Sequence, residues 1–142
     1  MDIRALTENY AVSPQITIDD LPAIQAAGYT TVIDNRPDAE IPPDLHAARL
    51  QTAAEALGLT FLSNPVIGGG LTTDNVTTQR RAIDAATGPV LAYCASGNRS
   101  SVVWALAEAG RIPTDDLIGL PARFGYTLEH LRTQLDSPSH PA

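Results

Sequence analysis

Three short runs rich in β-branched and apolar residues recur along the chain: Tyr29-Thr30-Thr31-Val32-Ile33, Leu59-Thr60-Phe61-Leu62 and Val90-Leu91-Ala92-Tyr93. Helically patterned stretches separate them, and this alternation constrains the fold more than any other feature. Strands spaced by helices of about 10 to 15 residues cannot pair as tight hairpins; they need crossover connections, which build a parallel sheet covered by helices. The sequence therefore predicts an α/β fold with a central, mainly parallel sheet flanked by helices.

The helical stretches carry their own start and stop signals. Thr17 caps a first helix, with Asp19, Asp20 and Pro22 in its opening turn and Gly28 as its stop. Pro42-Pro43-Asp44 opens a second, whose apolar positions include Leu45, Ala48, Ala53, Ala56 and Leu57, and Gly58 closes it. Thr72 or Thr73 caps a third that runs to about Ala86, before the Gly88-Pro89 break. A fourth, from about Arg99 to Ala109, is apolar nearly all round and is expected to be buried. A last helical pattern covers roughly Thr127 to Leu135. With no repeat and no linker in 142 residues, positions 1–136 read as one domain and 137–142 as a flexible tail.

Charge and cysteine content remove several function classes. A formal charge of −7, with nine arginines as the only basic side chains besides histidine, speaks against nucleic acid or an anionic membrane as partner. A single cysteine excludes an internal disulfide and suits a reducing compartment. The opening Met1-Asp2-Ile3-Arg4-Ala5-Leu6-Thr7-Glu8 lacks the basic and apolar regions of a signal peptide, and no run approaches the roughly 18 apolar residues of a membrane helix. A cytoplasmic protein is expected. His46, His130 and His140 have no ligand-like spacing, so neither a metal nor a cofactor is expected.

In a parallel sheet, ligands bind beyond the carboxyl ends of the strands. Two loops expected at that edge carry chemistry: Asp34 to Asp38, and Cys94 to Ser100. If Cys94 ends a strand and a helix begins near Arg99, the amides of Ala95, Ser96, Gly97 and Asn98 can curl around the sulfur. Gly97 permits positive φ, and Asn98 tolerates it better than most residues. Inward amides on a helix N-terminus form an anion site and favour thiolate over thiol. Arg99 adds a planar two-point grip for an anion, and Ser100 and Ser101 bring hydroxyls near the sulfur. A lone cysteine is more often a small core residue. The succession of strand, cysteine, small polar loop, arginine and buried helix favours an anion-binding thiolate instead.

Arg36 and Asp38 follow the Thr30–Ile33 run. They read either as a second anion contact and a proton donor, or as a solvated turn with a surface ion pair. Asp34 can turn back on its own backbone.

The loop Tyr93-Cys94-Ala95-Ser96-Gly97-Asn98-Arg99-Ser100 resembles the active loops of rhodanese-type sulfurtransferases and cysteine phosphatases. Met1-Asp2-Ile3-Arg4, Val12-Ser13-Pro14-Gln15-Ile16, Val32-Ile33-Asp34-Asn35-Arg36-Pro37-Asp38 and the Cys94 loop, in that order, resemble the phosphatase-like domain of the beta-lactamase-hydrolase-like family across about residues 1 to 110. The resemblance implies a fold like that of dual-specificity phosphatases, with the family's loop cysteine and arginine at Cys94 and Arg99. By the same analogy, Gly68-Gly69-Gly70 is a candidate flap and Asp74 behind it a candidate general acid, although Asp74 also suits a helix N-terminus.

Two departures bear on the chemistry. Tyr93 stands where tyrosine phosphatases have histidine, and four residues rather than five separate Cys94 from Arg99. The tighter loop favours a single sulfur over a whole phosphoryl group. The leading expectation is thus a sulfurtransferase that forms a persulfide on Cys94, drawing on a small sulfur-containing anion and passing sulfur to a thiol, cyanide or a protein acceptor. The alternative is a phosphatase acting on a small phosphate-containing anion through a phosphocysteine, with Asp38 or Asp74 as acid. A second alternative is a weakly catalytic redox- or anion-sensing module.

Overall fold

The computed structural model describes residues 1–138. Five strands, β1 (Arg4–Ala5), β2 (Tyr10–Ser13), β3 (Thr31–Asp34), β4 (Thr60–Ser63) and β5 (Val90–Tyr93), form one sheet in the order β1-β2-β5-β3-β4. All neighbours run parallel except β1, which pairs antiparallel with β2 at the edge. Six helices surround the sheet: α1 (Leu21–Ala26), α2 (Ala47–Ala56), α3 (Thr73–Ala85), α4 (Asn98–Glu108), α5 (Thr114–Ala122) and α6 (Arg132–Asp136). No helix among the described residues is long and apolar enough to cross a membrane.

The three strands read from the sequence form, within a residue or two at each end, and so do the third and fourth helices. The expected start of the first helix is a 3₁₀ turn, Ile18–Asp20, ahead of α1. The Pro42-Pro43-Asp44 opening is a separate 3₁₀ turn, Pro43–Leu45, so that α2 begins only at Ala47. The β1–β2 edge and α5 were not foreseen. Two residues of β1 carry no periodicity, and Gly119 and Pro121 interrupt the α5 pattern. The Thr127–Leu135 pattern resolves into a 3₁₀ turn, Glu129–Leu131, followed directly by α6. Of the expected tail, Ser137 donates its N–H to Gln134 O; residues 139–142, with His140, lie outside the described residues.

β5 is buried along its whole length, and its side chains alternate between two apolar layers. Val90 and Ala92 join Tyr10, Val12, Ile33 and Trp104 on the face covered by the later helices. Leu91 and Tyr93 join Val32, Leu21, Ile24 and Leu50 on the face covered by α1 and α2. α4 is buried as its composition predicts, and its Trp104 stacks on Tyr10 with ring centroids 5.9 Å apart. Register sets the working edge: Tyr93 lies level with both Ser13 and Asp34, and Asp34 with Ser63. The segments after β2, β3, β4 and β5 therefore leave the sheet side by side.

A closed polar network lies beneath that edge. Gln79 of α3 is fully buried, and its amide uses its whole hydrogen-bonding capacity. Its Oε1 accepts from Asn35 Nδ2 (3.0 Å) and Asn64 Nδ2 (2.8 Å), while its Nε2 donates to the Tyr10 hydroxyl (3.0 Å) and Asn35 Oδ1 (3.2 Å). Tyr10 in turn donates to Ser100 O and the Ser100 hydroxyl to Asn35 Oδ1, which ties α3, the Asn35 loop and the start of α4 together. Gln79→Leu would fill the same space but strand two buried asparagine amides. Each unsatisfied group costs about 1–3 kcal/mol, so a loss of about 3 kcal/mol is expected in urea unfolding. A loss below about 1 kcal/mol would mean that the network closes again without Gln79.

Candidate active site

Cys94 follows β5 immediately and is 1 % exposed. Its N–H donates to Ser13 O (3.4 Å), and Gln15 N–H donates to Ala95 O (3.4 Å), so the segment after β2 braces the first part of the loop. The chain then turns at Gly97, whose φ of +98° is the left-handed value that glycine alone adopts cheaply. Space requires glycine as well, because a Cβ there would collide with the Tyr126 hydroxyl. The turn directs Gly97 N–H at Cys94 Sγ, 3.1 Å away.

The loop is less of a ring than its composition suggested. Asn98 N–H donates to Ser96 Oγ (3.2 Å), away from the sulfur, and Asn98 keeps an ordinary negative φ. The two serine hydroxyls are committed elsewhere: Ser100 donates to Asn35 Oδ1 (2.9 Å) and Ser101 to Gly97 O (2.8 Å). A hydroxyl has one proton to give, so neither donates to Cys94. They hold the loop instead of the sulfur. Ala95 and Ser96 are exposed.

Arg99 is gripped by a residue that the sequence reading passed over. Its Nη1 donates to Glu40 Oε2 (2.8 Å) and its Nη2 to Glu40 Oε1 (2.8 Å), a two-point ion pair, while Nη1 also donates to Val66 O (2.8 Å). Arg36 Nε reaches the same Glu40 Oε1 (3.2 Å) and Arg36 Nη1 reaches Gln15 Oε1 (3.2 Å). Arg36 and Arg99 thus meet through a shared carboxylate. The hydrogen bonds from Arg99, partly opposed by burial and reinforced by Arg36, hold the Glu40 carboxyl below the ordinary carboxylate range. Glu40 in turn raises Arg99 above its ordinary value, with the neighbouring Cys94 sulfur adding to the effect. The end-on edge of the guanidinium is occupied. A further side-chain contact of Arg99 goes to the Cys94 sulfur. The one sequence signal for Glu40 was its position four residues after Arg36.

Neither of the two expected acids makes a hydrogen bond to the cysteine loop. Asp38 is exposed and accepts the Ala47 N–H at Oδ1 (2.9 Å), which caps α2; its Oδ2 is 4.0 Å from His46 Nδ1. Asp74 is exposed in the first turn of α3, where Thr72 and Asn75 exchange capping hydrogen bonds of 3.1 Å. Asp34 turns back on its own backbone as expected, accepting Arg36 N–H at 2.8 Å. Beside the loop, a cavity of about 410 Å³ extends from Asn98 and Arg99 between Ile67, Leu71 and Leu131, with His130 at its rim.

Residues 2–111 match the family model described as beta-lactamase hydrolase-like protein, phosphatase-like domain. A beta-lactamase hydrolase-like protein of Xylella fastidiosa is 33% identical over 96% of this chain, which spans 32% of that relative's length. The chain thus covers about a third of the curated relatives that it matches. Among solved structures, a candidate phosphatase (nma1982) from Neisseria meningitidis superposes with a TM-score of 0.80 at 36% identity, covering 96% of this chain and 97% of the other. P. aeruginosa TpbA in complex with pTyr shares the fold, with a TM-score of 0.67 at 15% identity over 96% of this chain and 84% of the other. The fold is that of dual-specificity and tyrosine phosphatases. Phosphatase names run through these matches, so the order of preference that the short loop suggested, sulfur before phosphorus, is reversed.

Asp34 allows a sharp test of the electrostatics at this edge. Its side chain is buried, and burial pushes the carboxyl from 3.8 up to about 6, against the pull of the Arg36 amide and the Tyr93 hydroxyl. In the unfolded chain the proton leaves near pH 4; in the fold it leaves near pH 6. The stability Asp34 contributes is therefore complete below about pH 4 and lost as pH rises through about 6, on the order of 2 kcal/mol in all. Asp34→Asn keeps an acceptor for Arg36 but cannot ionise. Its Tm should match wild type near pH 4 and exceed it by about 5 °C at pH 8. A difference that does not change with pH would show that Asp34 titrates normally.

Proposed function

Because the chain belongs to the phosphatase-like domain family of beta-lactamase hydrolase-like proteins, we propose that it hydrolyses phosphate monoesters through a phosphocysteine on Cys94. The observation that carries this reading is the convergence of two kinds of donor on one sulfur. Gly97 N–H points at Sγ from the helix start, and the Arg99 guanidinium, held on one side by Glu40, reaches the same sulfur.

The chemistry follows from these groups. The Cys94 thiolate attacks phosphorus in line with the ester oxygen; the S–P bond forms as the P–O bond breaks, and the electron pair leaves on the alcohol oxygen. Charge on the phosphoryl oxygens meets the Arg99 guanidinium and the loop amides, which are fixed before the reaction begins. Water then attacks phosphorus, the S–P bond breaks, and thiolate and inorganic phosphate are released. Glu40 is held ionised by two guanidiniums and so serves to orient Arg99 and not to donate a proton. Asp38 is committed to α2, which leaves Asp74, behind the Gly68-Gly69-Gly70 segment, as the acid that protonates the leaving oxygen. The ligand class is a small phosphate-bearing anion, of which the phosphotyrosine held by TpbA is one example.

Purified protein should release phosphate from an aryl phosphate, and Cys94→Ser should abolish it. Intact-mass spectrometry should trap a phosphorylated cysteine and find no added sulfur after thiosulfate. A persulfide with no phosphate release from any ester would overturn the proposal in favour of sulfur transfer. Arg99→Lys keeps the charge but loses the planar grip, so kcat should fall about 100-fold. Asp74→Asn should slow alkyl phosphates about 100-fold and p-nitrophenyl phosphate far less, since a good leaving group needs little protonation. Asp38→Ala should leave kcat within about twofold and cost about 1 kcal/mol of stability.

A further inference from the structure

The motif Met1-Asp2-Ile3-Arg4 lies at the far edge of the sheet in sequence terms, yet its side chains reach the cysteine loop. Asp2 Oδ2 accepts Arg4 Nε (3.0 Å) and Arg4 Nη2 (2.5 Å). Arg4 Nη1 donates to the Tyr126 hydroxyl at 2.5 Å, and its guanidinium lies 5.5 Å from the centre of the Tyr126 ring. The hydroxyl lone pair is thus taken by a cation, which leaves the single phenol proton to be donated elsewhere. It goes to Ser96 O, 2.7 Å away. Burial pushes the Tyr126 phenol above its ordinary value, against the influence of Arg4, so that proton is retained at neutral pH.

Ser96 O belongs to the same peptide unit as Gly97 N–H. A peptide plane is rigid, and in the trans form its carbonyl and its N–H point in opposite directions; no described peptide bond is cis. Holding the carbonyl outward with a hydroxyl therefore aims the amide inward, and that amide is the one 3.1 Å from Cys94 Sγ. We infer that Tyr126, set by the Asp2–Arg4 pair, is a positioning residue that fixes the orientation of the Ser96–Gly97 peptide and thereby the amide that faces the Cys94 sulfur. The inference rests on the phosphatase reading for its catalytic meaning. The orientation itself would matter to any reaction at the sulfur. Because Gly97 lacks a Cβ, its peptide is the one in the loop most able to flip, and only Gly97 leaves room for the tyrosine oxygen to approach.

Tyr126→Phe removes the oxygen and retains the ring in the core. With full-length protein, kcat for p-nitrophenyl phosphate should fall about tenfold, the value of one charge-free hydrogen bond of about 1.4 kcal/mol in the rate-determining geometry. KM should change less than twofold. The rate of Cys94 alkylation by iodoacetamide at fixed pH should shift by a similar factor, with Tm unchanged within about 3 °C. Arg4→Gln leaves the tyrosine in place and frees its lone pair; a smaller change of about threefold in the same two rates is expected. This variant also decides the question if Tyr126→Phe does not fold. Wild-type kcat and alkylation rates in a folded Tyr126→Phe protein, or a fall in Tm with both rates unaltered, would overturn the inference. If wild-type protein hydrolyses no phosphate ester, the phosphatase reading fails by itself, and the alkylation ratio still reports on the peptide.

Discussion

Parallel pairing on both sides of β5 is the constraint on which the rest of the structure depends. Because β2, β3 and β5 end in register at Ser13, Asp34 and Tyr93, three chain segments leave the sheet at one level. Gln15, Arg36, Glu40 and Cys94 then stand in one neighbourhood, although up to 79 positions separate them in the chain. A one-residue slip in β5 would turn Val90 and Ala92 toward the wrong apolar layer and carry the cysteine away from its partners. The hydrophobic core and the chemistry are therefore enforced by the same hydrogen bonds.

The polar groups around this edge divide into two kinds. The Asn35–Gln79–Asn64 cluster is satisfied throughout and acts as a rigid underlay for the start of α4. Asp34 and the Tyr93 hydroxyl, in register on adjacent strands, are buried against each other on the other layer. Tyr93 takes the position immediately before the cysteine, and burial together with the adjacent Asp34 keeps its phenol protonated. The edge thus combines a stiff lower layer with a buried acidic pair immediately behind the strand that ends at Cys94.

How much of this was legible in the sequence depended on the range of the interaction that creates each feature. Strand β5, the turn at Gly97 and the buried helix α4 are encoded by neighbours in the chain, and each could be read from composition and spacing. The grip on Arg99 could not, because its partner Glu40 lies 59 positions away. Arg4 and Tyr126 meet across 122 positions, and neither residue carries a local signature of that encounter. The roles expected of Asp38, Ser100 and Ser101 were misread for a related reason. Small polar side chains near a helix start satisfy whatever backbone or amide group is closest. Here those groups were the start of α2, the Asn35 amide and Gly97 O. The preference for phosphorus over sulfur came from neither local chemistry nor the resemblance read in the sequence, but from the phosphatase-like family model and the phosphatase structures that the chain matches.

The shared carboxylate of Glu40 has a consequence for how a ligand arrives. Two guanidiniums, Arg36 and Arg99, face one carboxylate and, in the attacking form, one thiolate, so the fixed charges of the site cancel. The chain around them carries a net charge of −7. Such a surface offers an incoming anion no long-range attraction; field lines that would funnel it from solution end on Glu40 instead. Capture must then rely on contacts made after arrival, within a few ångströms of Arg99. Added salt, which shields charges beyond a Debye length of about 10 Å at 0.1 M, would shield the overall repulsion and leave the short-range grip largely intact. A protein built this way trades speed of encounter for discrimination at close quarters.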